Sequence, residues 1–536
     1  MSEHAARDPA DMARRAGSAE ATAAAAPQEI ELKLAYAPAA LARIRRSSVL
    51  RSLAIEKRRP RTLDATYYDT DDLDLWARRI SLRVRKIDRR VVQTLKLPGE
   101  ATAGISQRTE WEVPATAGDL DLRRFPGDVV EAVLVEPGFV DALAPRLRTL
   151  VRRSEWLLAP QDGVRVLCAL DEGEVQVGDA RLPIAEIELE LVEGTPAAVF
   201  DIALAFHRIA PAVVDTVSKS GRGFAHLAGR GPQSARGEVF DLDPGASAED
   251  AFVRIARICI THWLDNREAV EDGSDPEGVH QMRVALRRLR SAFSVFGALL
   301  PGPETERLRA EVKWLADSLG PARDWDVFLD ETLSPVEGGL GALIEALRAR
   351  AEAERAQGYV AARAAVGSPR HTMLALELGR WLSARDWRLH GDGAGLAALD
   401  QPVTAFAARA LDKRWRKVMR QGRHIGKLND TALHELRIQI KKLRYLIEFT
   451  QSLYKAKRVA TYVKVLKRLQ EALGQINDLA VARDRMAPLA GDGAVAWAAG
   501  AVAGWHAARS GDLRHSLGKL WRGFHKHEPH WHEDPR

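Results

Sequence analysis

Apolar and charged residues alternate along the first part of the chain. Between positions 28 and 34, an extended segment would place aliphatic side chains on one face and charges on the other, namely Ile30, Leu32 and Leu34 against Glu29, Glu31 and Lys33. Period-two patterning with turn signals continues to about Leu191, whereas helical periodicity dominates from the Ser247/Asp250 capping pair to about Trp521. The pattern predicts an α+β first half and an all-α second half.

Four later segments repeat the charged face. Its members are Arg83 and Arg85; Lys96; Arg108, Glu110 and Glu112; and Glu186, Glu188 and Glu190. A solvated outer face explains any single strand of this kind. Five such faces built mainly from Glu, Arg and Lys favour a barrel with a charged interior, whose apolar side packs outward against helices. Its carboxylates would suit hard divalent cations and its basic groups would suit phosphate oxygens.

Several motifs in the first half make it resemble the CYTH (triphosphate tunnel metalloenzyme) family across roughly residues 28–227. They are the Glu29-x-Glu31-x-Lys33 signature, the segments Tyr67–Thr70 and Leu82–Arg85, and the late element from Ser218 to Gly223. The resemblance implies an eight-stranded antiparallel β tunnel barrel with flanking helices. It also implies binding of a linear triphosphate with two divalent ions, Mg2+ or Mn2+.

The resemblance further implies roles for individual residues. Phosphate would be held by Lys33, Arg83, Arg85, Lys96, Arg108 and Lys219, and metal by Glu29, Glu31, Glu110, Glu112, Glu186 and Glu188. Glu29, Glu31 and Lys33 would be catalytic. Arg152 or Arg153, Arg165 and Asp171 are further candidates whose strand register the sequence leaves open. The expected reaction is metal-dependent hydrolysis of tripolyphosphate to pyrophosphate and phosphate, with charge neutralisation and a metal-activated water.

Two other functions fit the same motifs. One is a class IV-like adenylyl cyclase; Ala-Ala-Pro-Gln at 25–28 stands where many family cyclases carry His-Phe, which favours the triphosphatase. The other is a non-catalytic polyphosphate-binding or targeting protein. Retention of the full signature with its basic partners favours catalysis.

The second half contains an internal repeat. Val279–Arg290 aligns with Leu433–Arg444, and Leu319–Val327 aligns with Leu473–Val481, both at an offset of 154. A duplicated helical unit with pseudo-twofold symmetry is therefore predicted. In the first copy Val279, Met282, Leu286, Leu289 and Phe293 would form the core stripe.

Basic rows border this stripe in both copies, as a groove for a linear polyanion requires. They are His280, Arg283, Arg287, Arg288 and Arg290, then His434, Arg437, Lys441, Lys442 and Arg444. The two histidines have the alternative of local capping or packing. Nucleic acid is less favoured, since no aromatic residues are interleaved as stacking platforms.

These helices and the two Leu-Gly turns resemble the CHAD domain, which implies paired helical bundles with a basic pocket that binds inorganic polyphosphate. Asp324 and Asp478 in the turns are expected to cap helices or to orient arginines rather than to bind metal. The four histidines of the tail, His525, His527, His530 and His532, are expected to lie in a disordered end.

Charge and composition complete the picture. Residues 251–536 hold 45 Lys and Arg against 34 Asp and Glu, so this part carries the positive charge that favours polyanions. Two cysteines and no long apolar run predict a cytoplasmic protein that does not span a membrane. Association with polyphosphate granules would be compatible with this location. The expected divisions are a disordered tail (1–27), the tunnel domain (28–227), a linker (228–246), the helical domain (247–525) and a tail (526–536).

Overall fold

A computed structural model describes residues 28–115, 120–127, 129–130, 139–336, 344–486 and 493–532. The chain divides into two compact units, one of residues 1–231 with 375–384 and one of residues 232–374 with 385–536. The predicted tail at 1–27 and the last four residues lie outside the described part.

The first unit is built on antiparallel strands. They are β1 (Gln28–Ala35), β2 (Ala54–Lys57), β3 (Arg61–Asp69), β4 (Ser81–Ile87), β5 (Arg90–Lys96), β6 (Glu100–Thr102), β7 (Ile105–Pro114), β8 (Ala144–Leu158), β9 (Arg165–Val177), β10 (Ala180–Glu193) and β11 (Val213–Val214). Pairing runs β1-β10-β9-β8-β3-β4-β5-β7 and returns to β1. The predicted closed eight-stranded barrel is confirmed.

Strand alternation separates an apolar outside from a charged inside. The aliphatic positions Leu32, Leu34, Ile187 and Leu189 are fully buried on the outer face. Helices pack there because they cover what water would otherwise contact. Apart from the helical residues 375–384, the helices of this unit are α1 (Pro38–Arg45), α2 (Ser48–Leu53), α3 (Asp74–Ala77), α4 (Pro196–Ile209) and α5 (Lys219–Leu227). Of these, α1 and α4 lie against β10, and α4 also lies against β1.

Helix α5 packs against the interior face of the barrel. Ser218 caps it, since its Oγ accepts a hydrogen bond from the Gly221 N–H at 3.0 Å. Phe224 joins an apolar cluster with Leu63, Leu147 and Val175. Gly223 allows the close approach: a Cβ atom there would lie 2.7 Å from Leu147 Cδ2 and 2.8 Å from Val175 Cγ1.

The helical part of the chain is longer than the barrel and contains the two copies of the sequence repeat. Its helices are α6 (Ala248–Asp265), α7 (Arg267–Asp272), α8 (Pro276–Phe296), α9 (Pro303–Ser318), α10 (Gly320–Val327), α11 (Glu345–Val366), α12 (Pro369–Ala384), α13 (Gly393–Asp400), α14 (Val403–Gly422), α15 (Asp430–Thr450), α16 (Ala456–Met486) and α17 (Gly493–Lys526). The predicted Ser247 cap is present, with its Oγ accepting from the Asp250 N–H at 3.0 Å. None of the described helices is long and apolar enough to cross a membrane.

Helix bounds reproduce the sequence duplication. Helices α8 and α15 begin and end 154 positions apart, and the predicted core stripe of α8 is buried. The first copy breaks at Leu319, between α9 and α10, where the second copy continues through α16. Proline lacks the backbone N–H that a helix interior uses, whereas Gln475, the counterpart of Pro321 in the second copy, has one. Pro321 therefore explains the difference.

Aromatic side chains make contacts in two segments that the sequence assigned to a linker and to a tail. Of the predicted linker at 228–246, residues 232–246 belong to the helical unit, where the Phe240 ring lies 4.9 Å from that of Phe449. In the predicted tail, His530–His532 forms a 3-10 turn and the Trp531 Nε1–H donates to Asp412 Oδ1 at 3.0 Å. Both segments are held by the burial of aromatic side chains, which outweighs their polar composition.

We expect Gly223→Val to lower the free energy of unfolding by about 1–3 kcal/mol, because the new methyl groups would clash with β8 and β9. Urea denaturation measures this. Gly231→Val is the control, since a Cβ there meets nothing within 4 Å. Equal stability of the two variants would contradict the packing of α5 against the barrel.

Candidate active site

Cross-strand register brings the predicted charged faces together. Directly opposed residues share a face of a sheet, and Glu29 lies opposite Arg108, Lys33 opposite Glu188, and Lys96 opposite Glu110. Arg83 of β4 lies opposite Tyr67 of the neighbouring strand β3. The five sequence-predicted faces therefore form one continuous interior surface of the barrel.

One group of charges surrounds Lys96. Its Nζ lies 3.0 Å from Glu29 Oε2 and 2.5 Å from Glu110 Oε2, and Arg83 Nη2 lies 3.4 Å from Glu110 Oε1. Burial, and then the neighbouring Glu31 and Glu110, raise the pKa of Glu29 to about 7 against the pull of Lys96. Although burial acts in the same direction on Glu110, Lys96 and Arg83 lower its pKa to about 2. Near neutral pH, Glu29 is therefore the carboxyl of this pair that exchanges a proton.

A second group surrounds Lys219 at the start of α5. Its Nζ lies 2.8 Å from Asp171 Oδ2, 2.5 Å from Glu186 Oε1 and 2.6 Å from Glu188 Oε1. Despite burial, these carboxylates raise the pKa of Lys219 well above its ordinary value. Burial likewise opposes ionisation of Glu188, yet Lys219 and Arg153 hold the pKa of Glu188 well below its ordinary value. Lys219 and Glu188 are therefore both charged at neutral pH.

Arginines complete this second group. Arg153 binds Asp171 in a bidentate pair, Nε to Oδ1 at 2.8 Å and Nη2 to Oδ2 at 2.6 Å, and also pairs with Glu188. Arg222 Nη2 donates to Glu186 Oε2 at 2.5 Å. Lys33 Nζ lies farther away, 3.7 Å from Glu188 Oε1 and 3.9 Å from Glu186 Oε1.

Some buried donors of the interior have no acceptor in the described structure. They are the Nε–H groups of Arg83, Arg85 and Arg222. The adjacent positive charge of Arg83, together with burial, lowers the pKa of Arg85 to about 10. An unsatisfied buried donor costs about 1–3 kcal/mol, so these groups are suited to the oxygens of an anionic ligand.

Carboxylate oxygens are also close enough to hold a cation. Those of Asp171, Glu186 and Glu188 lie within 4.8 Å of one another, and oxygen donors suit Mg2+ and Mn2+. The sequence-predicted metal set is thus divided: Glu186 and Glu188 lie in this group, while Glu29 and Glu110 lie around Lys96. Glu31 is 3.9 Å from Lys33, and Glu112 pairs with Arg85 at 2.7 Å. Their roles as ligands stay predictions.

The structure also shows which face of the barrel is occupied by the candidates whose strand register the sequence left open. Arg153 and Asp171 face the interior, whereas Arg152 is exposed on the other face of β8. Arg165 is half exposed and pairs with Glu193 at 3.4 Å, away from the two charge groups. Sequence reasoning gave no role to Arg222, although its position three residues after Lys219 places both on one side of α5.

In the helical unit, the two repeat helices α8 and α15 contact each other through basic side chains. Glu448 lies between them, with its Oε1 3.0 Å from Arg444 Nη1 and its Oε2 3.7 Å from Arg288 Nη2. The guanidinium of Arg287 lies 5.8 Å from the Tyr445 ring centre, and that of Arg444 lies 5.1 Å from it.

Like charges accumulate beside this contact. Burial, and then Arg414, Lys417 and Arg290, lower the pKa of Lys442. Arg414 and Lys417 belong to α14, and sequence reasoning missed them because nothing in the repeat pattern shows which helix lies opposite Lys442. Burial, and then Arg323, Arg287 and Arg283, lower the pKa of His280 in the same way.

The remaining predicted residues lie on the same helices. Arg437 and Lys441 are half-buried and His434 is exposed on α15. Asp324 Oδ1 lies 3.6 Å from Arg283 Nη2, which matches the expected orientation of an arginine. The side chain of Asp478 lies outside the described residues.

Comparison with known proteins finds two domain families in the chain. A family model of the CYTH domain matches residues 27–222 and one of the CHAD domain matches 254–487. An inorganic triphosphatase from Haemophilus influenzae is 31% identical over 204 residues, 37% of this chain; the match spans 54% of that relative, about half its length. An uncharacterized protein from Mycobacterium tuberculosis is 28% identical over 463 residues, which are 81% of this chain and 83% of that one.

A solved structure covers the helical part. The crystal structure of the CHAD domain from the plant Ricinus communis is 31% identical and covers 57% of this chain and 99% of that chain, with a TM-score of 0.50. Taken together with the two family matches, this likeness accounts for both units of the fold. The chain contains a CYTH domain at 27–222 followed by a CHAD domain at 254–487.

Proposed function

We propose that the barrel hydrolyses a linear inorganic triphosphate with the help of a divalent cation. The observation that carries this proposal is the set of buried arginine Nε–H donors without acceptors, in a tunnel that also holds carboxylates suited to a cation. Buried donors are normally paired in native structures, so these arginines are candidates for contact with an anionic ligand. The name of the Haemophilus relative supports the same substrate class.

In this proposal the basic side chains bind the substrate and the acidic side chains bind the cation. Arg83, Arg85, Lys96 and Arg108 bind phosphate oxygens and neutralise the charge that would repel a nucleophile. Lys33 and Lys219 do the same from the side of β10. The carboxylates, with Glu29 and Glu31 among them, would hold the cation, which when bound would supply Lewis acidity and activate water for attack.

Arg153→Ala should reduce phosphate release from tripolyphosphate by about 100-fold or more, because it removes a buried cation from the tunnel and leaves Asp171 partly unpaired. Colorimetric phosphate release with Mg2+ or Mn2+ measures this. Arg152→Ala is the matched control, since the neighbouring side chain is exposed on the other face of β8. We expect it to keep wild-type rates.

Glu29→Ala/Glu31→Ala in the same assay should abolish metal-dependent release. Failure of the wild type to release phosphate with either metal would contradict the enzyme proposal. The non-catalytic binding function would then be favoured. Formation of cyclic AMP from ATP, without hydrolysis of tripolyphosphate, would instead assign the barrel to nucleotide cyclisation.

Mn2+ affinity, measured by calorimetry, should rise from about pH 6 to pH 8, because Glu29 must lose its proton to bind a cation and its pKa is about 7. Glu29→Gln should weaken binding and remove this dependence, whereas Glu174→Gln, outside the tunnel, should change neither. In the metal-free protein the sign is reversed for stability: the contribution of protonated Glu29 is complete below about pH 4.5 and is lost as pH rises through 7. Affinity that is flat over this range would contradict a ligand role for Glu29.

We infer that the helical unit binds inorganic polyphosphate. Basic side chains that crowd one another, such as Lys442 beside Arg290, Arg414 and Lys417, destabilise the unit by mutual repulsion. A linear polyanion relieves this repulsion along its length. Attachment of the chain to polyphosphate would then keep the barrel close to phosphate chains.

Arg290→Ala/Lys442→Ala should raise the dissociation constant for long-chain polyphosphate about tenfold or more and flatten its dependence on salt. Fluorescence anisotropy at several salt concentrations, using the full chain, measures both. Arg350→Ala is the control, because Arg350 lies on α11 in an exposed pair with Glu354 at 2.7 Å. Thermal stability of the double variant should equal or exceed that of the wild type, since the substitution removes repulsion. Unchanged affinity would contradict the proposed groove.

A further inference from the structure

The ammonium of Lys219 stands where the carboxylates of the tunnel would hold a cation. Its Nζ is within 2.8 Å of an oxygen from each of Asp171, Glu186 and Glu188. These are the three residues whose oxygens converge within 4.8 Å. The carboxylates of Asp171 and Glu186 are fully buried. A divalent ion and this ammonium would therefore compete for the same oxygens.

The charge balance of this group points the same way. Among the described residues, four basic side chains lie within 4 Å of the three carboxylates: Lys33, Arg153, Lys219 and Arg222. The group carries no net negative charge to attract a cation. Adding a divalent ion alone would place excess positive charge in a buried space, which is costly in a low dielectric.

A triphosphate changes this balance. It brings several negative charges and gives the displaced basic groups new acceptors, which frees carboxylate oxygens. Lys219 is suited to such a move, because it is the first residue of α5 and its flexible side chain has four carbons between backbone and charge. The bidentate pair of Arg153 with Asp171 is the more rigid contact.

We propose that Lys219 is a displaceable counter-ion that makes cation binding at Asp171, Glu186 and Glu188 dependent on prior or simultaneous binding of the anionic substrate. The inference rests on the proposed triphosphate substrate of the barrel. In thermodynamic terms, cation and anion bind with positive coupling, and Lys219 is the residue through which a large part of that coupling acts. A metal-loaded tunnel without substrate is then a minor species.

Variants of Lys219 test this without any hydrolysis. In the absence of phosphate, Lys219→Met should bind Mn2+ about tenfold or more tightly than wild type, measured by electron paramagnetic resonance of free Mn2+. Lys219→Arg keeps the charge and should bind Mn2+ as weakly as wild type. Lys33→Met removes the same charge from 3.7–3.9 Å instead of 2.5–2.8 Å, so its gain should be clearly smaller. Equal gains for the two Met variants, or no gain for Lys219→Met, would overturn the proposal.

A measurement on the wild-type chain decides the question even if a variant fails to fold. With lysine labelled by 15N, Mg2+ alone should leave the ammonium resonance of Lys219 unchanged, and Mg2+ with imidotriphosphate, which resists hydrolysis, should shift it. A shift with Mg2+ alone would overturn the proposal. Loss of activity is not part of either readout: a tunnel that shows this coupling without hydrolysing tripolyphosphate would contradict the proposed reaction and retain the role of Lys219.

Discussion

Compensation of charge inside the closed barrel is the constraint on which the rest of the first unit depends. Buried carboxylates and buried ammonium or guanidinium groups are each costly, and the barrel tolerates them because they are interleaved on neighbouring strands. Lys96 between Glu29 and Glu110, and Lys219 among Asp171, Glu186 and Glu188, show this at two places. The compensation is incomplete, since arginine Nε–H groups remain without acceptors. The interior therefore still has donors to offer a ligand.

Helix α5 links this electrostatic arrangement to packing. Without a side chain at Gly223 the helix comes close to β8 and β9, and Phe224 fills the apolar end of the interior. The same placement brings Lys219 and Arg222 to the carboxylates of β10. In the helical unit, by contrast, basic side chains lie next to one another. Burial, and then repulsion by its basic neighbours, lowers the pKa of Lys442.

Strand alternation explains why so much of the tunnel could be predicted from the sequence. A period of two fixes which residues share a face, so Glu29, Glu31 and Lys33 were assigned together without knowledge of their partners. Alternation does not assign a face where two adjacent residues are both charged, as with Arg152 and Arg153, because neither of the two is apolar. It also fails for contacts across long sequence separations. Arg414 next to Lys442, and Trp531 bonded to Asp412, depend on which helices pack together, and local pattern carries no information on that point.

A crystal structure of the protein with Mn2+ and imidotriphosphate would show whether the tunnel binds anion and cation together, because Mn2+ is located by its anomalous scattering. We expect phosphate oxygens to accept hydrogen bonds from the Nε–H groups of Arg83 and Arg85. We also expect Mn2+ on carboxylates of the tunnel, with the Lys219 ammonium moved from those oxygens to phosphate. A triphosphate bound outside the barrel, or bound inside it with every internal ion pair intact and no Mn2+ on the carboxylates, would show that the tunnel does not work in this way.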